Sequence, residues 1–285
     1  MSRLDKLVRK VFPSTATLSR SAPFQVLIAI ADFFNRRVMR YFTKSPLPPL
    51  KYIVRIGVGN TVFRPHHWYL TSSNAMWLYF FSKGYASSSS IILDIGSGVG
   101  RSAVGLRDFQ YHGAAFEGHY HGVDVDEEMV VWCRDNFPKE RFSFTLVDAK
   151  SSIYLPDGAN TDTKLDVGTD EGAVDFVFSQ SLFTHLLEDD LRNYLAQSFR
   201  VMGPGGVIAM TFFCIDDLRD LNILGGRWTF KHRAGAAYLE NEKYPEAAVA
   251  YDRDWIVKAF ETAGFTAVRT ELPDFQSTIV GVKPE

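Results

Sequence analysis

Between residues 88 and 285, short apolar runs alternate with stretches in which apolar residues recur at helical spacing. The apolar runs predict strands at residues 91–95, 119–125, 141–147, 174–179 and 206–214. The helical stretches predict helices at residues 99–109, 127–137, 188–202 and 252–263. Two closing strands are predicted at residues 265–271 and 276–282. Alternating strands and helices are typical of α/β domains, so the pattern predicts a seven-stranded, mainly parallel, doubly wound sheet.

The first 87 residues have a different pattern. Helical periodicity with a basic polar face spans residues 22–42, and residues 74–81 predict a helix that packs on the domain. We interpret residues 1–87 as a basic helical N-terminal extension and residues 88–285 as the main domain. Within that domain, residues 215–250 form a connection longer than the fold requires. Long connections of this kind are often functional, so this segment is expected to be a lid or a binding element.

The formal charge of −2 conceals an asymmetry between the extension and the domain. Residues 1–55 contain eleven Lys and Arg against two Asp, so the rest of the chain is strongly acidic. Three interpretations of this basic arm stay open: an accessory helix on the domain, a nucleic-acid contact, or attachment to an anionic membrane. The acidic domain disfavours nucleic acid. A membrane contact would use the apolar residues Phe24, Leu27, Ile28, Phe33 and Phe34.

The cysteines and the apolar segments of the chain indicate its cellular compartment. Cys133 and Cys214 both lie in apolar segments, which supports neither a disulfide framework nor a cysteine-ligated zinc site. The apolar stretch 22–31 is shorter than the roughly 20 residues of a membrane-spanning helix, and no signal-peptide cleavage site follows it. A cytoplasmic protein is expected, at the inner membrane face if the basic arm binds lipid. The sequence leaves the oligomeric state open.

Asp94 lies near the end of the first predicted strand of the domain, which leads into Gly96, Gly98 and Gly100. Glycines allow a sharp turn and a close ligand approach, and the following helix presents unpaired N–H groups, so a nucleotide-like ligand is expected here. Nicotinamide-dependent oxidoreductases use a similar turn, but with G-x-G-x-x-G spacing. The shorter spacing and Asp94, which would repel a pyrophosphate, favour a ligand with positive charge instead.

Residues 92–101 resemble the first motif of class I S-adenosylmethionine-dependent methyltransferases. Four later stretches resemble the subsequent motifs of this family in order, at residues 122–126, 144–149, 175–180 and 200–206. The resemblance covers about residues 88–282 and implies a Rossmann-like fold with S-adenosylmethionine as cofactor and S-adenosylhomocysteine as product. It assigns cofactor binding to Asp94, Gly96, Ser97, Gly98, Gly100, Arg101, Asp124, Val125, Asp148, Ala149, Ser179 and Gln180.

The resemblance also implies individual roles. Asp124 would accept hydrogen bonds from both ribose hydroxyls, which requires a carboxylate. Asp148 would take the adenine amino group, and the N–H of Ala149 a ring nitrogen. Residues 181–186 resemble a bacterial subgroup with Ser-x-Phe-Thr-His-Leu after strand four, several members of which act on sugar or lipid-linked substrates.

His185 is the candidate catalytic residue. An imidazole titrates near neutral pH and could take a proton from a hydroxyl nucleophile, although a helix cap or an internal hydrogen bond is an alternative role. The candidate substrate residues are His66, His67, Arg227 and Trp228, with an interior polar cluster as the alternative for the two histidines. No metal site is predicted, because Asp216 and Asp217 fit a helix start or a solvated turn.

These features favour O-methylation of a small molecule, a sugar or a lipid-linked glycan. Methyl transfer depends mainly on aligning the nucleophile with the methyl group and excluding water, and a hydroxyl would additionally need a base. A nicotinamide-dependent oxidoreductase and a cofactor-binding scaffold without turnover are the two alternatives.

Overall fold

The architecture is a β-sheet flanked by helices, seen in a computed structural model that describes residues 22–56, 65–147, 171–226 and 228–285. The helices are α1 (Ala22–Met39), α2 (Leu50–Arg55), α3 (Pro65–Thr71), α4 (Asn74–Ser82), α5 (Arg101–Arg107), α6 (Glu127–Asn136), α7 (Glu188–Val201), α8 (Ile215–Asp220) and α9 (Arg253–Thr262). The strands are β1 (Ile91–Ile95), β2 (Gln110–Tyr111), β3 (Ala114–Ala115), β4 (His119–Asp124), β5 (Phe142–Leu146), β6 (Val174–Ser179), β7 (Met202–Cys214), β8 (His232–Ala234), β9 (Ala237–Leu239), β10 (Val249–Tyr251), β11 (Thr266–Leu272) and β12 (Ser277–Val282).

The order of strands in the sheet confirms the predicted fold class. Strands β5, β4, β1, β6 and β7 lie side by side in parallel, and the antiparallel pair β12 and β11 follows β7. These are the seven predicted strands. The register places Asp94 of β1 opposite Gly122 of β4 and Phe178 of β6, so the carboxyl ends of the three strands meet at one edge. Ligands of open α/β sheets bind at such an edge.

Two elements begin more than one residue away from their predicted start. Helix α5 begins at Arg101 rather than at residue 99, because Gly98 and Gly100 have φ of 53° and 72° and so cannot belong to a right-handed helix. Strand β7 begins at Met202 rather than at residue 206. Residues 203–206, at the predicted strand start and just before it, form an irregular part of this strand, where the register with β6 shifts.

Residues 215–250 extend the sheet. In this segment, β8 pairs with β9, β9 with β10, and β10 runs parallel to the end of β7. The segment also reaches the loop after β6, because Val249 N donates to Thr184 O at 2.8 Å. The described residues of this segment therefore do not form a separate flap. They extend the edge of the sheet and contact the loop that carries His185.

The described helices of the N-terminal extension pack on the domain. Trp77 of α4 is fully buried, donates from Nε1 to Ser102 O at 2.9 Å, and meets the ring of Phe178 edge-on. Helix α1 packs through Ile28, which is buried, and through Asp32, which accepts a hydrogen bond from Leu50 N at 3.0 Å. Helices α2 to α4 are thus part of the domain's own packing. No helix in the described ranges has the length and apolar character to cross a bilayer.

Candidate active site

The glycine turn connects the end of β1 to helix α5. Gly96 N and Ser97 N both donate to Val123 O, at 2.8 and 3.0 Å, which ties the turn to the end of β4. Gly96, Gly98 and Gly100 all have positive φ, the left-handed region that side chains disfavour. A Cβ at Gly98 would lie 3.1 Å from the Ile56 side chain. The turn therefore has the shape that the sequence predicts.

Asp94 lies beneath this turn and is 2% exposed. Its carboxylate accepts a hydrogen bond from the Tyr120 hydroxyl. Burial raises the pKa of Asp94 to about 7, while Tyr120 and the nearby Arg101 oppose that rise. A raised pKa means that the charged carboxylate is poorly compensated, and a positive ligand nearby would favour it.

Asp124 lies at the end of β4 and faces the same turn. Its Oδ2 accepts a hydrogen bond from Gly98 N at 2.7 Å, and its Oδ1 accepts one from Asp126 N at 2.9 Å. Burial raises the pKa of Asp124, and the two backbone donors oppose that rise. Each carboxylate oxygen has a second lone pair, so this side chain can also accept bonds from a vicinal diol. Val125 follows it and packs against the core.

The residues present fit S-adenosylmethionine. Ser97 Oγ is buried and has no hydrogen-bond partner among the described residues, so a polar ligand group would satisfy it. The buried carboxyl of Asp94 and the half-buried carboxyl of Asp124 suit a ligand with positive charge and hydroxyl groups, which the sulfonium and ribose provide. Asp148 and Ala149, expected at the adenine, lie outside the described residues.

Arg101, Ser179 and Gln180 come together beside the turn. Arg101 Nη2 donates to Gln180 Oε1 at 2.9 Å, and Ser179 Oγ donates to Ile95 O at 2.7 Å. The guanidinium of Arg101 also lies 4.5 Å from the centroid of the Trp68 ring. These contacts join the ends of β1 and β6 at the same edge of the sheet. Their assignment to the cofactor stays a prediction.

His185 lies in the loop after β6 and is half-buried. Its Nδ1 is 2.8 Å from the carbonyl oxygen of Glu246 and therefore donates to it, which places the lone pair of the neutral ring on Nε2. Burial lowers the pKa of His185, and the Glu246 carbonyl partly offsets this effect. The ring is consequently neutral at physiological pH, as a general base must be.

The candidate substrate residues differ in their exposure to solvent. His66 is 1% exposed, with Nε2 2.9 Å from Pro48 O, and burial lowers its pKa. Because no substrate can reach it there, His66 is an interior polar residue, which corrects its assignment to the substrate surface. His67 is exposed. Trp228 stacks on Phe230 with ring centroids 5.7 Å apart, and Arg227 lies outside the described residues.

The helix α3 does contact the turn, but through other residues than the histidines. Tyr69 is fully buried, and its hydroxyl donates to Val99 O at 3.1 Å. Trp68 covers Arg101. The aromatic pair next to His66 and His67 is thus what supports the turn.

Asp216 and Asp217 are occupied by internal contacts. Asp216 Oδ2 accepts a hydrogen bond from Arg253 N at 2.7 Å, and Asp217, 2% exposed, pairs with the Arg253 side chain and accepts from Ser277 Oγ at 2.5 Å. Both side chains join α8 to the start of α9. A structural role accounts for both.

Arg55 is a residue that sequence reasoning missed. It is 5% exposed and bonds two acidic residues at the start of α6, with Nη1 2.8 Å from Asp126 Oδ2 and Nη2 2.6 Å from Glu128 Oε2. The partners Arg55 and Asp126 are 71 residues apart in the chain, and no local pattern pairs them. These ion pairs hold the N-terminal extension against the start of α6, two residues after Asp124 at the end of β4.

Replacing Arg55 with alanine is expected to lower the free energy of unfolding by about 2–3 kcal/mol, because Asp126 would keep a largely buried charge without its partner. Lys51→Ala is the matched control. It breaks an exposed pair with the same Glu128 and should cost less than about 1 kcal/mol. Urea unfolding of both variants measures the difference, and equal losses would contradict a specific role for Arg55.

Known proteins resemble this chain both in sequence and in fold. Residues 93–210 match the family model described as a methyltransferase domain. Among solved structures, a protein from Pyrococcus horikoshii OT3 has the same fold, with TM-score 0.51 and 16% identity over 75% of this chain and 91% of that chain.

Two further solved structures are similar at lower scores. One is 1,6-didemethyltoxoflavin-N1-methyltransferase of Burkholderia thailandensis, with TM-score 0.48 and 16% identity over 85% of this chain and 94% of that chain. The other is magnesium protoporphyrin IX methyltransferase of Synechocystis PCC 6803, with TM-score 0.48 and 14% identity over 91% of this chain and 99% of that chain.

The matched segment runs from β1 to β7 and includes the glycine turn, Asp124 and His185. With the Rossmann-like sheet and a site that fits the cofactor, the match identifies residues 93–210 as a methyltransferase domain with S-adenosylmethionine as its cofactor. This result disfavours a nicotinamide-dependent oxidoreductase.

Proposed function

We propose that this methyltransferase transfers the methyl group to a hydroxyl of a small molecule, a sugar or a lipid-linked glycan, with His185 as general base. The observation that carries the proposal is the state of His185. Its Nδ1 is committed to the Glu246 carbonyl, its lowered pKa keeps it neutral, and the lone pair on Nε2 can therefore accept a proton. A thiol or amine nucleophile could react with little help from a base.

In the proposed mechanism, the residues around the turn have separate roles. When bound, S-adenosylmethionine supplies an electrophilic methyl group on a positively charged sulfur. Asp124 would hold the ribose hydroxyls, and the buried Asp94 favours the positive charge. His185 Nε2 would take the hydroxyl proton of the acceptor as its oxygen attacks, which raises the nucleophilicity of that oxygen.

The acceptor class is supported by the surroundings of His185 and by one resemblance. The loop 181–186 carries the Ser-x-Phe-Thr-His-Leu pattern, which is similar to a subgroup with sugar and lipid-linked substrates. Residues 215–250 also contact this loop, because Val249 N donates to Thr184 O at 2.8 Å. Trp228 and Phe230 of this segment pack in a core cluster with Phe213, so the pattern of residues 181–186, and not this aromatic pair, supports the acceptor class.

The test is transfer of a deuterated methyl group from S-adenosylmethionine to an acceptor panel that contains hydroxylated metabolites, free sugars and lipid-linked glycans, together with amines and thiols. Mass spectrometry would locate the label. A new methyl ether on a hydroxyl acceptor is the expected product. Label only on nitrogen or sulfur would overturn the proposal, and cofactor binding without label in any acceptor would favour the scaffold.

His185→Asn separates a catalytic role from a structural one. The Asn amide can replace Nδ1–H as the donor to Glu246 O but has no group at the position of Nε2, so the fold should be kept. We expect kcat to fall by about 10²–10⁴-fold, the usual contribution of a general base.

The pH profile provides the second readout for His185. Because protonation removes the Nε2 lone pair, wild-type kcat should fall as pH decreases through a pKa below 6.5. This acid limb should vanish in His185→Asn, while S-adenosylhomocysteine binding stays unchanged. An unchanged kcat with the acid limb still present would show that His185 is structural.

A further inference from the structure

Helix α1 exposes an apolar face that nothing in the described chain covers. Its members recur at helical spacing and continue into the turn after the helix: Val26, Leu27, Ile30, Phe33, Phe34, Val38, Tyr41 and Phe42. Each is between 55% and 79% exposed. A continuous exposed face of this kind on a protein surface marks an interaction site. We call these eight residues the apolar face.

The opposite side of α1 packs on the domain and fixes the orientation of the helix. Ile28 is 4% exposed and packs in the core, and Asp32 bonds Leu50 N. The helix is therefore anchored on the domain through one side while the apolar face points away from it. The sequence placed Ile28 in a membrane contact together with Leu27, Phe33 and Phe34; the burial of Ile28 removes it from that set.

Basic residues gather at the carboxyl end of the apolar face. Arg37 lies one helical turn after Phe33 and is exposed, as are Arg40 and Lys44. None of these three makes an ion pair with a residue in the described ranges. Long basic side chains beside exposed aromatic residues can reach toward phosphate groups while the aromatic rings enter an apolar phase.

A basic cleft of about 490 Å³ lies beside the end of α1. Its lining includes Arg36, Arg40, Thr43, Lys44, Ser45 and Asn136, and its described lining contains no Asp or Glu. Arg36 pairs with Asp32 and Ser45 donates to Asp108, both from outside the lining, so the donors suited to a phosphodiester group are those of Arg40, Thr43 and Lys44.

An apolar groove adjoins this basic cleft. It has a volume of about 560 Å³ and includes Phe42, Leu70, Leu78 and Phe109 in its lining. The groove and the cleft share Thr43 and Ser45, so an anionic group in the cleft and an apolar chain in the groove would be neighbours. Leu78 is itself 55% exposed.

We propose that the apolar face and the basic cleft dock this enzyme on the surface of an anionic phospholipid bilayer. Charge decides between a bilayer and a second copy of the chain. An anionic lipid surface attracts Arg37, Arg40 and Lys44, whereas a second copy would bring the same positive charges to this face. The proposal concerns binding alone and does not depend on the identity of the methyl acceptor.

The test is flotation of the full-length protein with vesicles of phosphatidylcholine plus phosphatidylglycerol, and with vesicles of phosphatidylcholine alone. We expect binding to the anionic vesicles that weakens as salt is added, because exposed charges are screened. Phe33→Ser with Phe34→Ser, and separately Arg37→Gln with Arg40→Gln, should each reduce partitioning by about tenfold or more.

Matched controls separate this surface from general stickiness. Val131→Ser with Leu272→Ser removes two exposed apolar side chains elsewhere, which are 46% and 44% exposed. Lys139→Gln with Lys258→Gln removes two exposed charges elsewhere. Both control pairs should bind vesicles like the wild type.

Three outcomes would overturn the proposal. The folded protein could fail to float with anionic vesicles, or the variants at α1 could bind as well as the wild type. Light scattering without lipid could also reveal a dimer that becomes monomeric on Phe33→Ser with Phe34→Ser, which would assign the apolar face to a second copy. Thermal unfolding of each variant ensures that lost binding is not lost folding.

Discussion

Asp124→Ala is expected to weaken S-adenosylhomocysteine binding by about a hundredfold or more. Hydrogen bonds to a charged group each contribute about 1.5–3 kcal/mol, and the proposed role of Asp124 gives it two such bonds to the ribose. The carboxylate also holds Gly98 N and Asp126 N, so its loss would loosen the turn itself. Calorimetric titration with the cofactor product measures the effect directly.

Two further variants make the Asp124 result interpretable. Asp124→Asn keeps the shape of the side chain but replaces one acceptor oxygen with a donor, so binding should still weaken about tenfold or more. Asp135→Ala, an exposed carboxylate on the following helix α6, should bind like the wild type. If Asp124→Asn bound with unchanged affinity, the ribose would have to be held elsewhere.

Ligand-dependent stability gives an independent readout for Asp124. A ligand that binds only the folded state stabilises it by RT ln(1 + [L]/Kd) and so raises the unfolding temperature. The wild type should be stabilised by S-adenosylhomocysteine and Asp124→Ala should not. A variant that unfolds without ligand at the wild-type temperature, yet gains no protection, has lost binding rather than folding.

Gly100→Ala is expected to lower the free energy of unfolding by about 3 kcal/mol, the largest effect of a single added methyl group at this turn. Two causes combine. The residue has φ of 72°, which costs an alanine about 1–2 kcal/mol. Its new Cβ would also lie 2.8 Å from Phe137 Cε2 and 3.2 Å from Cys133 Sγ, so α6 would have to move.

Gly113→Ala is the matched control for the turn. Gly113 has φ of 80°, but nothing lies within 4 Å of its would-be Cβ. This variant should therefore lose only about 1 kcal/mol, from backbone strain alone. Both variants restrict the unfolded chain equally, so that contribution cancels in the difference. Equal losses in urea unfolding would show that the contact with Phe137 relaxes without cost.

The core of the fold could be predicted from sequence because its signals are local. The five parallel strands and the closing pair follow from runs of apolar residues, and the glycine turn follows from three glycines at fixed spacing after Asp94. Such features depend on neighbours within a few positions. The order of the strands within the sheet was not predicted and comes from the structure, although an alternating α/β pattern permits only a few arrangements.

The candidate site was only partly predictable, and His185 illustrates the limit. The sequence places a histidine after the fourth predicted strand, but its tautomer depends on the carbonyl of Glu246, which is 61 residues away. The contrast between His66 and Tyr69 on one short helix is similar. One turns toward Pro48 and the other toward the glycine turn, because the packing of α3 determines which side is inside.

What the sequence by itself determined was the class of fold and the residues of the glycine turn, since periodicity and local spacing encode both. Only the tertiary structure decided that Arg55 is buried against Asp126, that residues 215–250 extend the sheet, and that the apolar face of α1 points outward. The physical reason is that burial and pairing arise between segments far apart in the chain. Their contacts depend on how helices and strands pack, which local periodicity does not specify.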